Sequence, residues 1–81
     1  MTLRELREQS GKSRAEVAAA LGVTVQAVAR YETGQRMISI DQVLILADLF
    51  DDTAEEIIRS SLSSRNDQAN SQQTHQRNRK V

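Results

Sequence analysis

The sequence contains no cysteine and no proline, only three glycines, and one tyrosine and one phenylalanine as its aromatic residues. Without cysteine, neither a disulfide framework nor a thiolate metal site can form. β-Branched residues never alternate over the length of a strand, so the pattern gives no sign of a sheet. These absences predict one small all-α domain whose stability depends on its apolar core alone.

Long apolar runs are absent as well. No stretch of about 18 apolar residues is available to span a membrane. The first residues also lack the charged start and the apolar run of a signal peptide. We therefore expect a cytoplasmic protein with no membrane partner.

The residue types that catalysis usually requires are scarce. The sole histidine, His75, lies in a polar C-terminal stretch and has no second metal ligand at a suitable spacing. No glycine-rich phosphate loop is present, and the carboxylates are distributed like helix caps and solvated helix faces. We expect the protein not to be an enzyme and to bind no cofactor, metal or small molecule.

The net charge of zero hides an uneven distribution. Residues 1–36 contain six basic and four acidic residues, whereas residues 37–62 contain one basic and six acidic residues. Residues 63–81 contain four basic residues and one acidic residue. A polyanion is therefore expected to meet the first part of the chain. The basic C-terminal end either adds a non-specific attraction to nucleic acid or is a solvated terminus without a role.

Helix starts are marked by capping boxes, in which serine or threonine is followed three residues later by glutamate or glutamine. Four such pairs occur: Thr2 with Glu5, Ser13 with Glu16, Ser39 with Gln42, and Thr53 with Glu56. Thr24 is a suitable N-cap for a further helix. Together with helical apolar spacing, these signals predict five helices, at about 3–9, 14–21, 25–33, 40–50 and 54–61.

The same spacing predicts the side chains that face inward. They are Leu3, Leu6, Val17, Ala18, Leu21, Val28, Tyr31, Ile40, Val43, Leu44, Ala47, Phe50 and Ile57. After Leu62 the composition changes to serine, asparagine, glutamine and arginine, with almost nothing to bury. That change predicts a folded domain over residues 1–62 and a disordered tail over residues 63–81.

The connection between the second and third helices is only three residues long, Gly22-Val23-Thr24. Such a short, glycine-containing turn joins the two helices of a helix-turn-helix at a steep angle. Ala18 is small enough for close helix crossing, and Val28 would fix the third helix to the core. An ordinary helical hairpin is the alternative.

Four segments strengthen the helix-turn-helix interpretation: LRELRE, SRAEVA, LGVT and RYETGQR, at residues 3–8, 13–18, 21–24 and 30–36. In their order and spacing they resemble the XRE, or lambda-repressor-like (Cro/cI-type), helix-turn-helix family over residues 3–58. The resemblance implies a compact five-helix DNA-binding domain with its helix-turn-helix at about 14–33.

Several residues depart from the family pattern. Arg14 replaces a usual glutamine, Thr33 a usual asparagine, and Gln35 a usual lysine. The proline that is common before the fourth helix is missing, and Asp51-Asp52 replaces a common Gly-Val. The change at Gln35 removes one expected charge from the phosphate contacts.

The resemblance implies that the third helix lies in the DNA major groove. If Val28 and Tyr31 face the core, the outward residues are the expected base readers Val25, Gln26, Ala29 and Arg30, followed by Thr33. Glutamine pairs well with adenine, arginine with guanine, and a valine methyl with a thymine methyl. A plain solvated helix surface is the alternative.

Phosphate contacts are expected around this helix. The candidate residues are Arg14, Thr24, Thr33, Gln35 and Arg36. Thr24 has a second interpretation, because its hydroxyl can simply cap the third helix. Glu32 is expected to be structural and to accept backbone N–H bonds near the loop before the fourth helix.

Proteins of this type usually bind as dimers to half-sites about 34–36 Å apart. The residues Ile38, Ile45, Leu49 and Ile58 form the candidate dimer surface, and isolated surface hydrophobes are the alternative. We therefore expect a sequence-specific transcriptional regulator of double-stranded DNA, a small repressor of phage, plasmid or antitoxin-autoregulator type. It would act as a homodimer and be controlled by concentration, degradation or a regulatory protein partner. The alternative is a protein-interaction module with the same fold and weakened DNA binding, which the neutral net charge and Gln35 favour.

Overall fold

Five α-helices and short connections form the part of the chain that the computed structural model describes, which is the backbone of residues 1–70 and the side chains of residues 1–64. They are α1 (Leu3–Gln9), α2 (Arg14–Leu21), α3 (Val25–Glu32), α4 (Ile40–Leu49) and α5 (Ala54–Asn70). No strand occurs within residues 1–70. The predicted five-helix, all-α class is confirmed, and all five helices begin at the predicted residues. None of the helices in this range is both long and apolar enough to cross a membrane.

The capping boxes determine where the helices begin. The boxes at Thr2, Ser13 and Ser39 are complete, with hydrogen bonds in both directions. The fourth is half formed. The Glu56 N–H donates to the Thr53 hydroxyl, but the Thr53 N–H donates to the Asp52 carboxylate at 2.8 Å. Glu56 instead accepts a hydrogen bond from the Ser60 hydroxyl.

The core contains side chains from every helix. Its buried apolar residues are Leu3, Leu6, Val17, Ala18, Ala27, Val28, Tyr31, Val43, Leu46, Phe50 and Ile57. The prediction for α4 was wrong at two positions, since Ile40 is 70% exposed and Leu44 is 59% exposed, whereas Leu46 is buried. Because α4 is apolar along most of its length, its sequence fits more than one helical stripe. The packing selects the stripe of Val43, Leu46 and Phe50.

Helix α5 is longer than the sequence pattern predicts, and the expected boundary after Leu62 falls inside it. Ser60, Ser61 and Ser64 are buried. The Ser64 hydroxyl accepts a hydrogen bond from the Leu3 N–H at 3.1 Å and donates to the Ser60 carbonyl. Composition counts serine as polar, but a serine whose hydroxyl is satisfied can be buried. Residues 63 and 64 therefore belong to the fold, and residues 71–81 of the predicted tail, with His75, lie outside the described residues.

Candidate nucleic-acid interface

The turn between α2 and α3 has the geometry that the sequence predicts. Gly22 adopts the left-handed conformation, with φ 71° and ψ 34°. This conformation lets the Val23 N–H donate to the Ala18 carbonyl at 3.0 Å and closes the end of α2. The Thr24 hydroxyl then accepts from the Ala27 N–H at 3.0 Å and caps α3. Ala18 is buried, and α3 packs against α2 after the turn.

The outward face of α3 is polar at its centre and apolar at its start. Ala27, Val28 and Tyr31 are buried, which directs the intervening side chains away from the core. Val25, Gln26 and Arg30 are exposed, and Ala29 is half-buried. An open groove beside this face is lined by Gln26, Ala29, Arg30, Thr33 and Gln35. The four predicted base readers therefore lie on one accessible face, and three of them line the groove with Thr33 and Gln35 from the predicted phosphate set.

The segment after α3 is closed by backbone hydrogen bonds. Gly34 has a positive φ of 78°, and the Gln35 N–H donates to the Arg30 carbonyl at 2.9 Å. The Thr33 hydroxyl donates to the Ala29 carbonyl at 3.1 Å. Thr33 therefore uses its hydroxyl proton within its own helix, whereas the side chains of Gln35 and Arg36 remain exposed.

Arg36 lies against the buried ring of Tyr31, with its guanidinium carbon 5.9 Å from the ring centroid. The Tyr31 hydroxyl accepts from the Gln42 side-chain amide at 3.0 Å. The Gln42 carbonyl oxygen in turn accepts from the Ser39 N–H, within the capping box of α4. The loop that carries Arg36 is thus attached to α3 at one end and to α4 at the other.

Glu32 has different partners from those predicted. Its carboxylate accepts from the Nε of Arg7 at 2.5 Å and from the Nε of Arg14 at 3.0 Å, and no backbone N–H of the described residues donates to it. Arg7 also donates to the Lys12 carbonyl. The backbone partners predicted for Glu32 were wrong, because α1 and α2 supply cations on the side where Glu32 is buried. The network joins α1, α2 and α3.

Sequence reasoning missed Arg7, although a signal was present. Arg7 follows Leu3 by four residues on α1 and so lies on the same helical face as a core residue. An arginine at an inward position requires a partner, and Glu32 is the acid that the sequence places nearest the inward side of α3. Arg14, a predicted phosphate contact, is the more exposed of the two arginines.

Comparison with known proteins agrees with this arrangement. A family model described as "Helix-turn-helix" matches residues 3–57. The chain belongs to the helix-turn-helix family. The predicted family resemblance is confirmed, and the matched segment contains all residues of the turn and of the outward face of α3.

Three relatives of this helix-turn-helix chain have names that assign them to transcription regulation. A protein of Pyrococcus furiosus, named as an HTH-type transcriptional regulatory protein, is 50% identical over 50 residues, which are 62% of this chain and 16% of the relative. Another with that designation, from Thermococcus kodakarensis, is 41% identical over 56 residues, which are 69% of this chain and 18% of the relative.

The HTH-type transcriptional regulator AnsR of Bacillus subtilis is 39% identical over 56 residues, which are 69% of this chain and 48% of AnsR. The helix-turn-helix chain thus spans about half of AnsR and less than a fifth of the two archaeal relatives. No solved structure matches it.

The candidate dimer residues of this helix-turn-helix protein fall into two classes. Ile45 and Ile58 are exposed. Ile38 and Leu49 are half-buried because they pack against the protein's own core. Other large apolar side chains are also exposed on or next to α4 and α5, namely Met37, Ile40, Leu44 and Leu62. The exposed apolar surface is therefore wider than predicted and extends to the start of α4.

The core contains little space for a bound molecule. A cavity of about 10 Å³ lies in the core beside Arg7, Val28 and Glu32. Small-molecule pockets have volumes of roughly 300–1,000 Å³, so this space is far too small for one. Among residues 1–64, no three histidine, aspartate or glutamate side chains cluster as a metal site would require.

Proposed function

We propose that this protein is a sequence-specific DNA-binding transcriptional regulator that places α3 in the major groove. One observation supports this most strongly. Val25, Gln26, Ala29 and Arg30 share an accessible helical face that begins directly after the tight turn. Gln26 has the donor and acceptor needed for adenine, Arg30 the paired donors needed for guanine, and Val25 a methyl surface for thymine.

The phosphate contacts are proposed on both sides of this helix. Arg36 after α3 is exposed, the side chain of Arg14 at the start of α2 is 39% exposed, and Gln35 lines the groove. Thr24 and Thr33 are weaker candidates, because their hydroxyls already bond to backbone groups. Phosphate contacts position a protein on DNA without reading its sequence.

A homodimer is proposed as the active form, because one α3 reads too few base pairs to specify a site. Ile45 and Ile58 are the exposed members of the candidate dimer surface, and Ile38 and Leu49 are half-buried against the protein's own core. Each dimer would bind an inverted repeat with half-sites about 34–36 Å apart. The regulator is proposed to act in the cytoplasm as a small repressor of phage, plasmid or antitoxin-autoregulator type.

The test is selection of bound sequences from a random duplex pool at about 0.15 M salt, where the Debye length is about 8 Å and distant charges are screened. The proposal predicts an inverted repeat with half-sites one helical turn apart. Substitution of Gln26 or Arg30 by alanine is expected to relax the preference at one base pair of each half-site, by about 1–3 kcal/mol. Folded protein that enriches no sequence would contradict specific reading.

A protein-interaction module is the second candidate. The exposure of Ile40 and Leu44 on α4 favours it, together with the neutral net charge. Arg30→Ala separates the two functions. Affinity for the selected DNA site falls if α3 reads DNA, whereas binding of a protein through α4 is unaffected.

A further inference from the structure

The ion-pair cluster of Arg7, Arg14 and Glu32 contains two cations and one anion. Among the described residues, Glu32 is the one acid within ion-pair distance of either arginine. The Arg7 side chain is 12% exposed and that of Glu32 is 4% exposed, whereas that of Arg14 is 39% exposed. The cluster therefore has a net charge of +1, and the surplus lies on Arg14, the side chain nearest to solvent.

The geometry of Arg14 leaves its outer donors available. A guanidinium group has five N–H donors, and Arg14 uses its Nε–H for Glu32 at 3.0 Å. Within residues 1–64, its Nη groups have no hydrogen-bond acceptor. Because the Nε bond restricts the side chain before any ligand arrives, less conformational entropy is lost when the Nη groups bind an oxyanion.

The position of Arg14 makes a phosphate the fitting anion. Arg14 is the first residue of α2, and the Ser13 hydroxyl accepts only from the Glu16 N–H. The N–H groups of the first two α2 residues therefore have no intrahelical acceptor, next to a guanidinium fork that matches phosphate geometry. Glu16 lies at the same helix end, but its carboxylate is engaged by the Ser13 N–H at 2.7 Å.

We propose that Glu32 is a positioning residue that holds Arg14 in place to bind a DNA phosphate. This inference rests on the proposed DNA-binding function and adds a link between two parts of the interface. Glu32 belongs to α3, whose outward face is proposed to read bases, and Arg14 belongs to α2. The carboxylate thus fixes the distance between a phosphate contact and the base-reading helix, which sets the register of α3 in the groove.

The first experiment measures the affinity of the full chain for one duplex over a series of salt concentrations. Log K falls as log salt rises, and each phosphate neutralised makes this slope steeper by about 0.9. Arg14→Gln is expected to make the slope shallower by about 0.9. It should also weaken binding by about tenfold, the effect of one hydrogen bond to a charged group. Arg59→Gln, which removes the same charge from the exposed surface of α5, is the matched control and should leave the slope unchanged.

The second experiment isolates the role of Glu32. Glu32→Gln keeps the charge of Arg14 but weakens its anchor, so we expect an unchanged salt slope and weaker binding. In the free protein, the Nε–H of Arg14 should be as rigid in NMR relaxation as the backbone, and Glu32→Gln should make it mobile. If Glu32→Gln does not fold, Arg14→Lys replaces it, because lysine keeps the charge and lacks the planar fork. Its slope should equal that of the wild type while its affinity falls.

The outcomes distinguish this inference from the function on which it rests. A wild-type chain that binds no duplex even at low salt overturns both. A wild-type chain that binds DNA, with Arg14→Gln indistinguishable from Arg59→Gln, overturns the Arg14 contact alone. Arg14→Lys binding as tightly as the wild type, or an Arg14 Nε–H that is mobile in the free protein, overturns the positioning by Glu32.

Discussion

The first three helices and the last two differ in the charge and in the apolar side chains that they expose. Residues 1–36 carry a basic excess, and their large apolar side chains are mostly buried or half-buried, with Met1 and Val25 as the exposed ones. Residues 37–62 contain six acids and one cation, yet expose the apolar side chains Ile40, Leu44, Ile45, Ile58 and Leu62. A net charge of zero thus conceals one surface suited to a polyanion and another suited to a protein.

The two regions also use ion pairs differently. Glu32 is buried between Arg7 and Arg14, whereas Glu55 and Arg59 pair across one turn of α5 in solvent. A buried charge that loses its partner is strongly destabilising, but an exposed pair contributes little. The buried network of the first region therefore stabilises the fold, whereas the exposed pairs, Arg4–Glu8 in α1 and Glu55–Arg59 in α5, mainly set the surface potential.

The largest expected effect on the free energy of unfolding comes from the loss of Arg7, in the buried ion-pair network. Arg7→Ala should lower the free energy of unfolding by about 3–5 kcal/mol, since it removes the most buried cation from Glu32. Arg59→Ala should change it by less than about 1 kcal/mol. Urea denaturation of both variants measures the difference. Equal effects would mean that the buried network does not stabilise the fold.

A smaller effect on stability is expected in α4, where Leu46 is buried and Leu44 is exposed. Leu46→Ala should cost about 2–4 kcal/mol, because a buried leucine leaves a cavity. Leu44→Ala, on the exposed apolar surface, should change the unfolding free energy of the monomer by no more than about 0.5 kcal/mol. Thermal unfolding at low protein concentration checks both. A large loss for Leu44→Ala there would place it in the core, as the sequence pattern alone suggests.

At Asp51, just after α4, a substitution is expected to raise the stability of the fold. Asp51 has a φ of 56°, in the left-handed region, and is the one described non-glycine residue with positive φ. The Asp52 N–H donates to the Ala47 carbonyl across it, so this conformation terminates the helix. Asp51→Gly should raise stability by about 1 kcal/mol, seen as a higher melting temperature.

Asp52→Gly is the matched control for Asp51. It removes the hydrogen bond from the Thr53 N–H to the Asp52 carboxylate and should lower the melting temperature. If both glycine variants lowered it, the left-handed conformation at Asp51 would not be a source of strain.

The smallest expected effect is on the pH dependence of the melting temperature, and it differs between the capping boxes of α2 and α4. The backbone hydrogen bond from Ser13 lowers the pKa of Glu16 below its ordinary value of 4.5. A lowered carboxyl pKa in the folded state gives stability that is present above the unfolded pKa and is lost as the pH falls through the folded pKa. Wild-type melting temperature should therefore decline below about pH 4.5 more steeply than that of Glu16→Gln. The α4 box uses Gln42, which does not titrate, and it contributes nothing to this decline.

Much of the fold could be predicted from the sequence because helix starts depend on local chemistry. Ser13 and Ser39 begin their helices through hydrogen bonds that span three residues, and Gly22 ends α2 through its own backbone freedom. The outward face of α3 was predictable for the same reason, since Val28 and Tyr31 determine which side is buried. These features require no knowledge of distant parts of the chain.

The features that the sequence did not reveal depend on tertiary contacts. Leu46 is chosen over Leu44 by the neighbours of α4, and Ser64 is buried because the Leu3 N–H, 61 residues away, satisfies its hydroxyl. Glu32 has partners on two other helices. In each case a pattern within one helix allows several outcomes, and the packing of other helices selects one.

The most direct test of the account is an NMR titration of the isotope-labelled chain with a duplex that carries its selected sequence. Amide shifts are expected to concentrate at the start of α2, along α3 from Val25 to Arg30, and at Gln35 and Arg36. Residues of α5 around Ile58 should shift only if dimerisation accompanies binding. Shifts confined to α4 and α5, with α3 unchanged at saturating DNA, would contradict the claim that the basic region contains the DNA-binding surface.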